Sequence, residues 1–331
     1  MTLVARILVI IFLINSCDKV SELKSYNGFA FGTTYSIILQ SDNELQIKQL
    51  VESIVLRINK SMSTYIENSV ISNINIGNQV EIDTDFKNVF NASKLVWQQS
   101  NGYFDPTVGS LVNAYGFGPS EPINSLNAEV IDSLLEFTGF SKIKISNNNT
   151  IKKDDKRTYI DFNAIAKGYA VDIISKELRE LGYKNFLVEI GGEVFAEGIN
   201  PLKGTMWTIG IDKPLQKQSR DFISSIQISG KGMATSGNYR KYKIDKNSGE
   251  KYVHTINPLN GLPVKSNILS ATVVAESSML ADAYATALMA MPLNEGEKLV
   301  STLENVDAMW IISENKNFKI VKSSNFKYDS I

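Results

Sequence analysis

A chain of 331 residues can bury a large core, and reads as one large domain or two intimately packed halves rather than a small stapled module. Its 34 basic residues against 35 acidic ones exclude a general electrostatic grip on nucleic acid or another polyanion. A single cysteine, Cys17, excludes an internal disulfide and any cysteine-based metal cluster within one chain.

Met1 to Cys17 carries Arg6, an apolar run from Ile7 to Ile14, and then Asn15-Ser16-Cys17. The run is too short to cross a bilayer, which takes about 20 apolar residues, and has the dimensions of a secretory signal core. Ser16-Cys17 resembles a bacterial lipobox, with Ile14 where leucine is more usual; a plain signal peptide or a buried N-terminal strand are the alternatives. The expected organisation is a signal peptide over 1–16, a lipidated tether over 17–27 and a single domain over 28–331. Acyl chains on Cys17 would anchor the body at about 0.8 kcal/mol per buried methylene.

Phe29 to Leu39 (FAFGTTYSIIL) alternates around Gly32 and predicts a strand with a close backbone approach at the glycine. Leu45, Leu50, Ile54 and Ile58 have near-helical spacing within 44–58, MSTY follows at 62–65, and 68–75 reads as a polar turn region. An amphipathic helix is predicted over 86–99 on Val89, Phe90, Ser93 and Val96 or Trp97, stopped at Asn101-Gly102. From Tyr103 to Gly118, aromatics, glycines and Asp105 are packed closely enough for a loop that stacks on a flat ligand, or equally for a buried hairpin. A short helix over 128–137 and a polar surface turn over 147–155 come next.

Tyr159 to Glu193 predicts a short strand, a turn at 161–163, a helix and a second strand ending in Gly191-Gly192. Val171, Ile174, Leu178 and Leu181 fall on one helical face, Gly182 is the stop, and 186–190 is a compact apolar strand. With Asp161 or Asn163 as the cap, backbone N–H groups would point out beside a carboxylate, an amide and Lys167, a place for an anion or a polar ring. An ordinary strand–helix–strand unit with capping residues fits the same letters.

Strands are predicted over 206–213 and 221–229, joined by a polar loop. The stretch 233–240 gathers hydroxyls, an amide and a cation near a glycine, and 252–258 leads into the turn signal Asn260-Gly261. A strand over 271–275, a cap at 276–278 and a helix follow, with Leu280, Tyr284, Leu288 and Met291 as the apolar face. Asp282 and Thr286, one turn apart on another side, can reach one hard cation, although Asp282 also suits the first turn of any helix. His254 is the only histidine, either a general base or an ordinary hydrogen-bonded residue. No fixed-period repeat or interdomain linker is present.

In this order, MSTY, FDPTVG with LVNAYGFG, IAKGYAVD, LVEIGGE, ATSGNYRKY, HTINPLNGLP and ADAYATAL resemble the ApbE family of bacterial FAD:protein FMN transferases, from about Gly32 to Met291. The resemblance implies an α+β, T-fold-like body of mixed sheets and packed helices, with FAD bound between two joined halves. It implies Mg²⁺-dependent transfer of FMN from FAD to a Thr or Ser hydroxyl of an acceptor protein, in an Asp/Ser-Gly/Ala-x-Thr/Ser-like motif, with release of AMP. Position by position, it implies FAD contacts from Phe31, Tyr65, Tyr103, Phe104, Asp105, Asp161, Lys167 and His254, with Phe31 standing where methionine is common. It implies metal ligation by the Ala164 carbonyl, Asp282 and Thr286, with Ala285 in the same segment, and catalysis by His254 as base together with Asp282. The lipid-anchored form implies an inner-membrane location on the periplasmic side. Mg²⁺-dependent FAD hydrolysis to FMN and AMP, and an FAD-binding lipoprotein without chemistry, are the alternatives.

Overall fold

The computed structural model describes residues 22–123, 126–214, 221–238, 242–244, 251–315 and 317–330. Its first element corrects the sequence reading, because Phe31 and Gly32 both have positive φ (51° and 74°), the backbone of a two-residue hairpin turn. The expected single strand is therefore a hairpin, β1 (Leu23–Ala30) and β2 (Thr33–Gln40), in register from Ala30↔Thr33 to Leu23↔Gln40. Residues 23–27 of the expected tether are thus sheet, held in part by the buried Tyr26 hydroxyl, which donates to the Ser41 carbonyl at 2.6 Å. Cys17 and the leader lie outside the described residues.

Helix α1 (Glu44–Met62) is capped by the Asn43 side chain and buries Ile47, Val51, Ile54 and Ile58, at spacings of four, three and four. Leu45, expected inside, is exposed. The expected polar turn contains a helix, α2 (Val70–Asn75), because Ser69 caps it and Ile71 and Ile74 reach the core. Asp83 caps α3 (Thr84–Gln99), which buries Val89, Phe90, Ser93 and Val96 as predicted. The short helices α4 (Gly109–Ala114) and α5 (Ala128–Leu135) follow. The second expected surface turn is the tip of a small hairpin, β3 (Ile143–Ile145) and β4 (Ile151–Lys153), with Ile151 buried.

Helix α6 (Ala166–Glu180) ends at Leu181 before Gly182 (φ 90°), and leads to the tight hairpin of β5 (Phe186–Ile190) and β6 (Glu193–Glu197). Strands β7 (Trp207–Asp212), β8 (Phe222–Ile228), β9 (Lys231–Gly237), β10 (Tyr242–Ile244), β11 (Lys251–Val253) and β12 (Ile268–Ala275) come next. The chain finishes with α7 (Ser278–Ala290), α8 (Leu293–Thr302), β13 (Asp307–Glu314), β14 (Asn317–Lys322) and β15 (Asp329–Ser330).

Eight strands form one sheet in the order β1-β2-β5-β6-β9-β12-β13-β14, every neighbouring pair antiparallel. The expected mixed sheets are thus antiparallel ladders. Alternate residues serve opposite faces: Phe195, Val273 and Trp310 pack with the helices, while Val194, Val274 and Met309 pack with β7, β8 and Phe326. The result is three layers: helices, the eight-stranded sheet, and a second antiparallel sheet in the order β15-β8-β7. Helix α7 lies so deep that it has no single apolar face; Asp282, Ala283, Tyr284 and Ala285 are all buried, and the expected face residue Leu280 is only half-buried.

Candidate active site

The turn before α6 is clamped from two sides. Asn75, at the end of α2, donates to the Ile160 carbonyl at 2.9 Å and accepts the Ile160 N–H at 2.8 Å, while the Asp161 N–H donates to the Pro106 carbonyl at 2.8 Å. Tyr159 makes only an isolated bridge to Val108, not the expected strand. The Asp161 carboxylate accepts the Asn163 N–H at 2.7 Å and its side-chain amide at 3.1 Å, so it closes the turn. Neither Asp161 nor Asn163 caps α6, as the sequence suggested; the N-cap is Ile165, which has no side-chain acceptor. Burial raises the Asp161 pKa. Beside it, Tyr65 leaves 64% of its surface exposed, and its hydroxyl pKa is raised by burial and by the Asp161 charge.

The first turn of α6 meets α7 at very short range. A Cβ on Gly168 would lie 2.3 Å from the Ser278 carbonyl oxygen and 2.8 Å from the Met279 Cα, so only glycine permits this crossing. The α7 N-terminus is held there by the half-buried Asp172 carboxylate, which accepts the Ser278 N–H at 2.7 Å and the Met279 N–H at 2.9 Å. One turn further along α7, Asp282 Oδ2 accepts the Gly168 N–H at 3.2 Å. With Ile165 as the N-cap, the Gly168 N–H is one of the first-turn donors that has no acceptor within its own helix, and Asp282 supplies one from α7.

Lys167, adjacent to Gly168, places Nζ 2.5 Å from Oε1 of Glu193, the first residue of β6. Glu193 and Asp282 are 5% and 3% exposed, and Glu193 Oε2 is buried without a hydrogen-bond partner. Burial raises the pKa of both acids against the opposing pull of Lys167, and the Asp282 charge raises Glu193 further. Thr286 is half-buried, with its hydroxyl 3.5 Å from that of Ser236 on β9, and Ala285 is wholly buried. Lys167 thus meets the Glu193 and Asp282 carboxylates, and Thr286 lies one turn along α7 from Asp282; no group of three or more His, Cys, Asp or Glu side chains gathers as a metal site among the described residues.

His254 follows β11, half-buried, with its ring 6.4 Å from that of Phe117 in edge-on contact. Its neighbour Thr255 donates to the Asn238 side chain at 2.7 Å, two residues beyond Ser236. Through β9, the His254 segment is thereby tied to the strand end that meets Thr286.

Other expected contacts have different neighbours. Phe104 is 2% exposed and belongs to the core, so for this residue the buried alternative holds over stacking on a ligand. The Asp105 carboxylate accepts from the Thr107 N–H (2.8 Å), the Thr107 hydroxyl (2.6 Å) and the Phe140 N–H (2.8 Å), which pins the loop. It also borders a cleft of about 550 Å³ with Trp97, Thr138, Pro258 and Leu259, which neither Lys167 nor Asp282 lines. The Tyr103 hydroxyl pKa is raised by burial and by Glu295 on α8. Phe31 sits in the β1–β2 turn. The residue that sequence reasoning missed is Glu193. Its signal was an acid at the same strand parity as Phe195, on the face turned to the helices.

Residues 31–310 match the family model described as the ApbE family. The chain belongs to the ApbE family. A relative named FAD:protein FMN transferase from Haemophilus influenzae is 34% identical over 322 residues, covering 93% of this chain and 92% of its own. One of the same name from Vibrio cholerae is 33% identical over 325 residues, covering 96% of each. The solved structure of the flavin transferase ApbE from Vibrio cholerae superposes with a TM-score of 0.82 at 31% identity, over 92% of this chain and 98% of that one. The apo flavinyl transferase ApbE of Pseudomonas stutzeri gives 0.80 at 29% identity, over 92% and 96%. The α+β, ApbE-like fold expected from the sequence is the fold observed.

Proposed function

We propose that this ApbE-family chain transfers FMN from FAD to a Thr or Ser hydroxyl of an acceptor protein and releases AMP. The observation that carries the reading is the buried meeting of Lys167, Gly168 and Asp282 at the α6–α7 crossing, in a chain related along most of its length to proteins named FAD:protein FMN transferase. Lys167 offers an ammonium to the pyrophosphate of FAD, and Tyr65 and Asp161 stand at the open rim for its ring systems.

Asp282 as a buried carboxylate and Thr286 as a hydroxyl one turn on fit a hard divalent cation, and the Ala164 main-chain carbonyl, just before the α6 N-cap, would be the third oxygen. Ala285, small and buried between the two side-chain ligands, lets that face of α7 pack closely. Bound there, Mg²⁺ would neutralise negative charge on the pyrophosphate oxygens. The chain's own residues supply the rest. His254 accepts the proton of the acceptor hydroxyl, the hydroxyl oxygen forms a bond to the FMN phosphorus, and the bond from that phosphorus to AMP breaks.

His254→Ala should reduce transfer at least about 100-fold, within the range of general-base contributions, while FAD affinity stays within about threefold. Fluorescence titration with FAD and AMP release in the presence of acceptor measure the two. Unchanged transfer would remove His254 as the base. For location, we infer lipidation of Cys17 and retention on the periplasmic face of the inner membrane; Cys17→Ala should move the chain from the membrane to the soluble fraction.

A further inference from the structure

The α6–α7 crossing holds one more charged group than the proposed reaction has used. Among the described residues, Lys167 is the cation that faces two buried carboxylates, Glu193 and Asp282. Glu193 is fixed by its backbone, since β6 starts directly after Gly191 and Gly192, whose φ values of 64° and 107° turn the chain sharply. One carboxylate oxygen is taken by Lys167 Nζ at 2.5 Å; the other, Oε2, is buried with no hydrogen-bond partner among the described residues. A buried carboxylate oxygen left unpaired is expensive, and an interior with excess negative charge is stable only when a cation joins it. The parity of β6 puts Glu193 with Phe195 on the helix-facing side of the sheet, where β9 also presents Ser236 to Thr286.

We propose that Glu193 is the second carboxylate of the divalent-cation site, its unpartnered Oε2 helping to hold the cation that Asp282 and Thr286 bind. Lys167 then has two tasks, pairing with Glu193 and meeting the substrate pyrophosphate. This inference rests on the metal reading of Asp282 given above. A role confined to positioning Lys167 would use only Oε1.

The test is a titration of the full chain with Mn²⁺, following free Mn²⁺ by electron paramagnetic resonance, for the wild type, Glu193→Gln and Asp282→Asn, together with melting curves of the metal-free proteins. Glu193→Gln should weaken Mn²⁺ binding at least tenfold and raise the metal-free melting temperature, since it removes the excess buried charge. Glu193→Asp, which keeps the charge on a shorter side chain, should fall between wild type and Glu193→Gln in Mn²⁺ affinity, and serves if the amide variant does not fold. Wild-type Mn²⁺ affinity in Glu193→Gln, with loss in Asp282→Asn, would overturn the proposal and leave Glu193 as a positioning residue for Lys167. Unchanged affinity in Asp282→Asn as well would overturn the metal reading beneath it.

Discussion

Lys167 is the side chain on which the charge balance of the interior turns. Among the described residues, two buried carboxylates face this one ammonium and, without it, would face each other. Removing one partner of a buried ionic group costs about 3–5 kcal/mol because a charge is left uncompensated. Lys167→Met should destabilise the metal-free protein by about that amount in urea unfolding, and adding Glu193→Gln should restore a large part of the loss. The same chemistry sets a pH dependence. Burial pushes Asp172 to about 6, and pushes Glu193 upward too, so the folded state binds protons that the unfolded chain releases near the ordinary carboxylate value. The sign follows: these two groups make the metal-free protein most stable below about pH 4, and their contribution falls as pH rises from there through 6. Melting temperatures across that window, with and without Mg²⁺, measure it, and Mg²⁺ should flatten the fall. Lys167 and Asp282 were legible in the sequence, one beside Gly168 at a helix start and the other in the first turn of a helix, whereas Asp161 was legible only as a cap that it does not form. Glu193 was not, because its significance comes from a lysine 26 positions earlier and an aspartate 89 positions later, which only the fold brings to it.

The α6–α7 pair is the element that builds the site, and glycine makes it possible. Gly168 and Gly232 each face α7 backbone at distances where a Cβ would lie 2.3 Å and 2.2 Å from the nearest atom. Those atoms belong to the main chain at Ser278 and cannot swing aside. Gly168→Ala should therefore cost at least the roughly 1–3 kcal/mol typical of overpacking, and should weaken divalent-cation affinity as well, because α7 carries Asp282 and Thr286. A thermal melt and a Mn²⁺ titration on the same variant check both effects. Loss of stability without loss of affinity would show that the crossing is structural only. At this scale, legibility tracked the source of each element's stability. The α7 cap at Ser277 and the β5 strand were readable because capping and apolar runs are local. The α2 helix was missed because its six residues are stabilised by burial of Ile71 and Ile74 rather than by propensity. The β1–β2 hairpin was missed because Phe31, a bulky residue, adopts a left-handed conformation beside Gly32.

Across the whole molecule, the eight-stranded sheet gathers stretches that the chain keeps far apart. It begins with β1 and β2, returns after α6 for β5 and β6, and closes with β9, β12, β13 and β14, so strands from Leu23 to Lys322 contribute to one continuous layer. Two-sided burial explains why β12 reads as an apolar run without alternation, so that the sequence showed a strand there but not its place in the sheet. The family resemblance supplied the architecture that pattern alone could not. The sheet carries β6 with Glu193 and β9 with Ser236 beneath α6 and α7, and the Thr255–Asn238 bond draws His254 toward the same strand end. The central claim, that these groups together move FMN onto a protein hydroxyl, is tested most directly by incubating the full chain with FAD, Mg²⁺ and an acceptor that carries the Thr/Ser motif, following acceptor mass and AMP release together. The acceptor should gain one FMN for each AMP released, and a Thr→Val or Ser→Ala change in the acceptor motif should stop both. AMP released at the same rate without acceptor, with no gain in acceptor mass, would contradict the central claim.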